Sequence, residues 1–258
     1  MPRLLAVVAG LGGLLLASQL PAAEPSLDEI IAHNVAARGG AAQLAALKTL
    51  ERSGRLVIPG YNIELKVREV KTRAGEYRQE VTLQGLTQIQ AYDGHAAWQV
   101  QPFEGRKDPS LMSADEAKGL ALEADIDLPF VDAAQKGNKV EYLGLEDIDG
   151  TPAYKLRVAL KSGDESTYWL DPDTWMVIRE LDRQTVRGAV QLTETDFGEY
   201  EKVAGIYVPM TEEQGPKDSD SSDKQKIVYE KATANAPVAA TLFSFPVSAA
   251  PGAQKVQP

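Results

Sequence analysis

Apolar and polar side chains alternate along most of this chain, and this period of two constrains the fold more than any other feature. In YNIELKVREV, residues 61–70, each apolar residue from Ile63 to Val67 is followed by a charged one. EYRQEVTL, residues 76–83, places Tyr77 and Val81 on one face and charged residues on the other. Such alternation indicates antiparallel strands with one buried and one solvated face.

Similar segments follow one another as far as residue 234, and short turns such as Asp149-Gly150 and Arg187-Gly188 separate them. Glycine and aspartate suit these turns because both tolerate positive φ. No strand–helix–strand alternation is present, which argues against a parallel sheet. The sequence therefore predicts an α+β fold, with a curved antiparallel sheet or unclosed β-barrel of about 11–12 strands and helices that cover its concave face. The pattern leaves open whether that face is packed or encloses a cavity.

Two capping boxes mark where helices begin. Ser26 and Glu29 begin the first helix, which ends at Gly39-Gly40. Ser113 and Glu116 begin a helical insert of about residues 110–136, which we expect to act as a movable lid. The apolar lid residues are Leu120, Leu122, Ile126 and Phe130.

The first 23 residues have the pattern of a secretory signal peptide. Arg3 precedes an apolar run, and the segment ends in the small residues Ala22-Ala23. Residues 24–246 are predicted to form a single domain, and residues 247–258 a disordered tail. The chain contains no cysteine, so it has no disulfide framework, no thiolate metal site and no cysteine for lipidation. We expect a periplasmic protein.

The charge and the scarcity of histidine exclude several functions. A formal net charge of -10 argues against binding to nucleic acid. His33 and His95 are the two histidines, and they are too far apart in the sequence to suggest a metal site. Asp93-Gly94 predicts a two-residue hairpin turn with His95 opposite Tyr92, rather than an acid–base pair. We expect no catalytic residues, no cofactor and no metal, and therefore not an enzyme.

The candidate ligand-binding residues are apolar side chains that share strand faces. Which strand face is concave is an assumption at this point. The predicted lining consists of Ile63, Leu65, Val67, Val81, Leu83, Trp98, Val100, Leu156 and Val158.

Several segments resemble one known family. DEIIAHNVAARGGAAQLAALKTLERSGRL precedes the strands, GLTQIQAYDGHAAWQVQPFEGRKDPSLMSADE contains a YDG…W pair followed by the insert, and YWLDP and LFSFP come later. Together they resemble the LolA/LolB-like outer-membrane lipoprotein-sorting family. The resemblance implies an unclosed barrel whose helices cover a cavity for acyl chains. It also implies an arginine that holds a closed state, for which Arg52 and Arg55 are candidates.

The leading hypothesis is a soluble, non-lipidated and monomeric carrier that binds lipid or lipoprotein acyl chains. An envelope membrane protein is a further candidate partner. The alternative is an envelope sensor or docking module with the same fold that binds a protein partner. A more remote alternative is a hydrolase, which would require His95 to lie beside an acid and a hydroxyl in a pocket.

Overall fold

The computed structural model describes residues 24–246, so the predicted signal peptide and the predicted disordered tail both lie outside the described residues. Within residues 24–246 no helix has the length and apolar character needed to cross a membrane. The helices of this region are α1 Leu27–Ala37, α2 Ala41–Ala46, α3 Ala114–Glu123 and α4 Ala133–Lys136. Its strands are β1 Thr49–Ile58, β2 Ile63–Thr72, β3 Tyr77–Leu83, β4 Leu86–Tyr92, β5 Ala97–Gln101, β6 Arg106–Leu111, β7 Lys139–Ile148, β8 Thr151–Ala159, β9 Glu165–Leu170, β10 Val177–Val186, β11 Ala189–Val203, β12 Ile206–Pro216 and β13 Gln225–Ala234.

The thirteen described strands form one antiparallel sheet in the order β6-β5-β4-β3-β2-β1-β13-β12-β11-β10-β9-β8-β7. The sheet is not closed, because β6 and β7 are its free edges. Most neighbouring strands are consecutive in the chain, and the pairing of β1 with β13 joins the two halves. The predicted α+β fold with a curved, unclosed sheet is confirmed.

The strand missing from the predicted 11–12 is β6, whose sequence RKDPSL has no apolar alternation and contains Pro109. Proline cannot donate a ladder hydrogen bond, so it is tolerated at an edge such as this one. As a result Ser110 and Leu111, which were expected to open the helical insert, end a strand instead. The insert itself consists of α3, an irregular segment and α4.

Strand pairing defines which side chains share a face of the sheet. Val67 of β2 is paired with Val81 of β3, and Leu65 is paired with Leu56 of β1, so these side chains lie on one face. Leu44 of α2 packs on this face. We call it the concave face, because α1, α2 and the insert all cover it.

Two buried clusters fill most of the concave face. In the first, Leu44, Leu47 and Ile126 pack on the central strands; its strand residues are Leu50, Leu56, Leu65, Val67, Val81, Ile206, Val208, Met210 and Tyr229. In the second, Ile30 of α1 and Phe130 and Val131 of the insert pack on β8–β10; its strand residues are Leu156, Val158, Tyr168, Leu170 and Val177. The insert therefore contributes to both clusters and connects the two halves of the sheet.

The helix of the insert depends on its predicted cap. The Ser113 side chain accepts a hydrogen bond from the Glu116 N–H (3.3 Å), and the Glu116 carboxylate accepts one from the Ser113 N–H (2.9 Å). Replacing Ser113 with alanine is expected to lower the free energy of unfolding by about 1 kcal/mol. Urea denaturation measures this loss, with Ser110→Ala on β6 as the control that is expected to change little.

Candidate functional site

Seven of the nine predicted lining residues lie on the concave face. Ile63, Leu65, Val67, Val81 and Leu83 belong to the first cluster, beneath α2 and Ile126 of the insert. Leu156 and Val158 belong to the second cluster and are fully buried. The two sets come from opposite halves of the sheet, and the insert reaches both.

Trp98 and Val100 do not share that face. Trp98 is paired with Ala91, and Ala91 with Arg78, which points away from the face of Val81. The Trp98 indole N–H donates to the backbone carbonyl of Phe243 at 2.7 Å, so the segment after β13 covers it on the convex side. Trp98 and Val100 line a separate convex groove of about 540 Å³ and not the space beneath the insert. Trp98 and Val100 therefore lie on the opposite face from the other seven predicted residues, and the predicted shared lining is corrected to those seven.

The Asp93–His95 stretch is a turn, as predicted, although it is longer than two residues. Asp93 Oδ1 accepts hydrogen bonds from the backbone N–H groups of His95 (3.0 Å) and Ala96 (2.8 Å). Tyr92 is paired with Ala97 rather than with His95. The carboxylate of Asp93 therefore shapes the backbone of the turn.

The four lid residues contact different parts of the sheet. Leu120 packs with Tyr77 and Ala97, and Ile126 joins the first cluster. Phe130 lies edge-on to Tyr168, with the ring centroids 5.1 Å apart. Leu122 lines the space between these contacts.

A small inner cavity and a larger outer groove lie on the two sides of the insert. The inner cavity has a volume of about 120 Å³ and reaches Leu50 and Val208 on the concave face. The outer groove has a volume of about 480 Å³ and opens between the insert and the turn after β8. The residues that line both spaces are Leu122, Asp125, Ile126 and Pro129. This short segment of the insert is therefore the wall between them.

Two arginines hold this wall in place. Arg38, which follows α1, donates to the backbone carbonyls of Ile126 (2.7 Å) and Asp127 (2.9 Å). Arg73, which follows β2, forms an ion pair with Asp127 and donates to the carbonyl of Leu47 at 3.0 Å. Each arginine thus joins the irregular segment of the insert to a neighbouring element, because guanidinium groups present several donors in a fixed fork.

A buried ionic network lies on the concave face beneath the insert. Arg52 of β1 donates to Glu69 Oε1 (2.7 Å) and to the carbonyl of Pro209 (2.9 Å), and it forms an ion pair with Glu212 (2.7 Å). Its guanidinium lies 3.8 Å from the ring centroid of Tyr229. Burial alone would lower the pKa of Arg52, but Glu212 and Glu69 raise it well above its ordinary value. Arg52 is thus the buried one of the two candidate arginines.

Arg55 differs from Arg52 in its surroundings. Its side chain is 43% exposed and pairs with Glu64 (3.1 Å) and Glu230 (2.7 Å) on the solvated side. It makes no contact with the insert among the hydrogen bonds and ion pairs of residues 24–246. Among the described residues, neither Arg55 nor Arg52 forms a hydrogen bond or ion pair with the insert, whereas Arg38 and Arg73 do.

Two carboxyl groups of β10 also face the covered side of the sheet. Tyr168 donates its hydroxyl to Glu180 at 2.5 Å, and Ser166 donates to Asp182 at 2.5 Å. Burial, together with the neighbouring Asp182, raises the pKa of Glu180 well above its ordinary value. Burial likewise raises the pKa of Asp182 to about 6. A raised pKa means that the folded protein favours the protonated form of each carboxyl group relative to the unfolded chain.

Sequence comparison with known protein families and with curated proteins gives no match. Comparison with solved structures gives matches. A LolA superfamily protein from Nitrosomonas europaea matches with a TM-score of 0.56 and 11% identity, over 83% of this chain and 96% of that one. The chain has a LolA-like fold. The fold predicted from the resemblance is confirmed.

Two further structures share this LolA-like fold. One is a Vibrio parahaemolyticus domain described as an outer membrane lipoprotein-sorting protein, with a TM-score of 0.53 and 11% identity over 83% of this chain and 93% of that one. The other is a DUF1329 family protein from Desulfovibrio piger, with a TM-score of 0.52 and 11% identity over 84% of this chain and 97% of that one. At this identity the likeness concerns the arrangement of the backbone.

Proposed function

We propose that this chain is a non-enzymatic periplasmic carrier that binds the acyl chains of a lipid or lipoprotein on its concave face. The observation that carries the proposal is the shared wall: one segment of the insert separates an inner cavity of about 120 Å³ from an outer groove of about 480 Å³. Displacing this segment would join the two spaces and expose the apolar face below. Small-molecule sites are typically about 300–1,000 Å³, so the joined space would be large enough for a ligand.

The inner cavity is too small for an acyl chain while the insert is in this position. At about 30 Å³ per water molecule, a cavity of about 120 Å³ corresponds to roughly four waters. Binding therefore requires that the insert move, which would expose four apolar side chains: Leu120, Leu122, Ile126 and Phe130. At about 1.5–3 kcal/mol each, their exposure costs roughly 6–12 kcal/mol. A sixteen-carbon chain gains a similar amount, at about 0.8 kcal/mol per CH₂, so the bound chain can offset the opening.

Motion of the insert can be measured with spin labels, because the chain has no native cysteine. Ala45→Cys on α2 and Gln135→Cys on α4 are exposed positions on either side of the wall. When cis-parinaric acid or its methyl ester is added, we expect the distribution of distances between the two labels to shift to longer values and to broaden. The matched pair Ala45→Cys and Lys226→Cys places no label on the insert, so its label-to-label distance is expected to stay unchanged.

Direct binding is tested by fluorescence titration with the same two probes and by native mass spectrometry of protein purified from its own host. The carrier proposal expects bound acyl chains in both experiments. A protein that binds neither probe, carries no lipid and shows no change in label distance would overturn it.

A docking module is the second candidate, and one observation favours it. Leu111 on the edge strand β6 is paired with Trp98 on the convex face and is 66% exposed. The groove beside Trp98 has a volume of about 540 Å³ and includes Phe245. An exposed apolar patch of this kind is typical of a protein-binding surface. Failure of every acyl-binding test would favour this candidate over the carrier.

A further inference from the structure

Lys71 is a cation that faces the inner cavity. It lies on β2, paired with Leu50 of β1 and with Tyr77 of β3 on the concave face. Its side chain is 14% exposed, and its Nζ lies 5.5 Å from the centroid of the Tyr77 ring. Burial would lower the pKa of Lys71, but Glu69 and Glu123 raise it above its ordinary value, so the ammonium is charged.

The carboxylate nearest to this ammonium belongs to the insert. Glu123 is the last residue of α3, and its Oε2 lies 3.2 Å from Lys71 Nζ. The Glu123 side chain is 44% exposed, so it extends from the surface to the cavity. Within residues 24–246, the other carboxylate near Lys71 is Glu69 at 3.8 Å, which Arg52 already binds through two donors.

Opening the insert would take Glu123 away from Lys71. The ammonium would then lack its nearest partner while still lying against the apolar surface of Leu50 and Tyr77. Taking the nearest partner from a largely buried charge is costly. A ligand that supplies a negative group at the position of the Glu123 carboxylate would remove that cost.

The other carboxyl groups that line the cavity do not oppose an anion. Glu212 is paired with Arg52 at 2.7 Å, and Asp125 with Lys136 at 2.5 Å. Glu180 accepts the hydroxyl hydrogen bond of Tyr168, and burial raises its pKa well above the ordinary value, which favours its neutral form. With Glu123 displaced, Lys71 is thus the lysine of the cavity wall that has lost its nearest carboxylate.

We propose that Lys71 binds the anionic head group of an amphiphilic ligand, and that Glu123 occupies this position while the insert is closed. The ligand class is a long-chain amphiphile with a carboxylate or phosphate monoester head. Its chain would lie against the apolar cavity wall, formed by Leu47, Leu50, Phe197, Ile206 and Val208. This proposal rests on the carrier function and adds the chemistry of the ligand.

The test compares cis-parinaric acid with its methyl ester, which has the same chain without the charge. A charge-assisted hydrogen bond is worth about 1.5–3 kcal/mol, so we expect the acid to bind at least about tenfold more tightly. Lys71→Met is expected to bind acid and ester equally. Lys66→Met is the matched control, since Lys66 lies on the same strand on the opposite, exposed face. Hexadecyl phosphate as a competitor separates a phosphate preference from a carboxylate preference.

Glu123→Gln provides a second and independent variant at a partly exposed position. It removes the ion pair that opening of the insert must break, so we expect the acid and the ester both to bind several-fold more tightly, with the preference for the acid kept. If wild-type protein binds acid and ester equally, or if Lys71→Met keeps the preference, the head-group proposal fails while the carrier stands. Binding of neither ligand would overturn the carrier as well.

Discussion

Replacement of Arg52 by methionine is expected to lower the free energy of unfolding by about 3–5 kcal/mol. The side chain of Arg52 is 3% exposed and pairs with both Glu69 (2.7 Å) and Glu212 (2.7 Å). Methionine fills a similar volume without charge, so the variant would leave two carboxylates buried beside the Tyr229 ring. Urea denaturation of the wild type and the variant at pH 7 measures the loss.

Arg55→Met is the matched control for this experiment. Arg55 lies on the same strand and also pairs with two carboxylates, but its side chain is 43% exposed. Exposed ion pairs contribute about 0–1 kcal/mol, so the expected loss is small. Adding Glu69→Gln to Arg52→Met removes one of the two carboxylates that have lost Arg52 and is expected to recover part of the loss. Equal losses for Arg52→Met and Arg55→Met would contradict the role assigned to the buried network.

The faces of single strands could be predicted from sequence, whereas the relation between distant strands could not. Alternation correctly places Leu65 and Val67 on one side of β2, because a strand has a fixed period of two. It does not say which side of another strand is concave. Trp98 illustrates this limit: it is buried, but by the segment that contains Phe243 on the convex side. Only the pairing register and the path of that segment decide its face.

The ionic network escaped prediction because the polar face of β2 changes along the strand. Leu65 and Val67 face the covered side, and the next two residues on that side are Glu69 and Lys71. Val70 is fully buried on the opposite side. The pattern alone assigns Glu69 to water, since charged residues are rarely buried without partners. Its partner Arg52 lies on a different strand, so the pair appears only when the strands are aligned.

These charges also bear on how the carrier function would operate. If the concave face were wholly apolar, covering it with the insert would stabilise the closed state through packing alone. A ligand would then have to compete with all of that packing. In this protein an ion pair between Glu123 and Lys71, at 3.2 Å, provides part of the contact between the insert and the sheet. Because a ligand anion can replace the Glu123 carboxylate, part of the closing interaction can be exchanged rather than lost. The polar wall of the cavity therefore favours opening in response to a ligand of the right charge.

The contribution of Asp182 to the stability of the fold is expected to fall as the pH rises from about 4 to about 6, and Asp182→Asn is expected to remove this contribution. Burial raises the pKa of Asp182 from its ordinary value of 3.8 to about 6, with Glu123 and Asp164 adding negative charge nearby. Between these values the folded protein binds more protons than the unfolded chain, so folding is weakened as the pH rises. The stabilisation is present below pH 3.8 and is lost through pH 6.

The size of this effect on stability follows from the shift in the pKa of Asp182. About two pKa units correspond to roughly 3 kcal/mol, and water that reaches this partly exposed side chain reduces the figure to about 2 kcal/mol. Asparagine does not titrate and can still accept the hydroxyl hydrogen bond of Ser166. We therefore expect Asp182→Asn to be more stable than the wild type by about 2 kcal/mol at pH 7 and nearly equal to it at pH 4. Urea denaturation at these two pH values measures the difference, with the exposed Asp108→Asn on β6 as the control.

Glu180 strengthens the same prediction, because it lies two residues away on the same face and its pKa is also raised. Once Asp182 is replaced, Glu180 loses a neighbouring negative charge and keeps the hydroxyl of Tyr168. The variant should therefore retain part of the fall in stability as the pH rises, and Glu180→Gln combined with Asp182→Asn should remove more of it. A stability difference between Asp182→Asn and wild type that is the same at pH 4 and pH 7 would show that this pair does not titrate on unfolding.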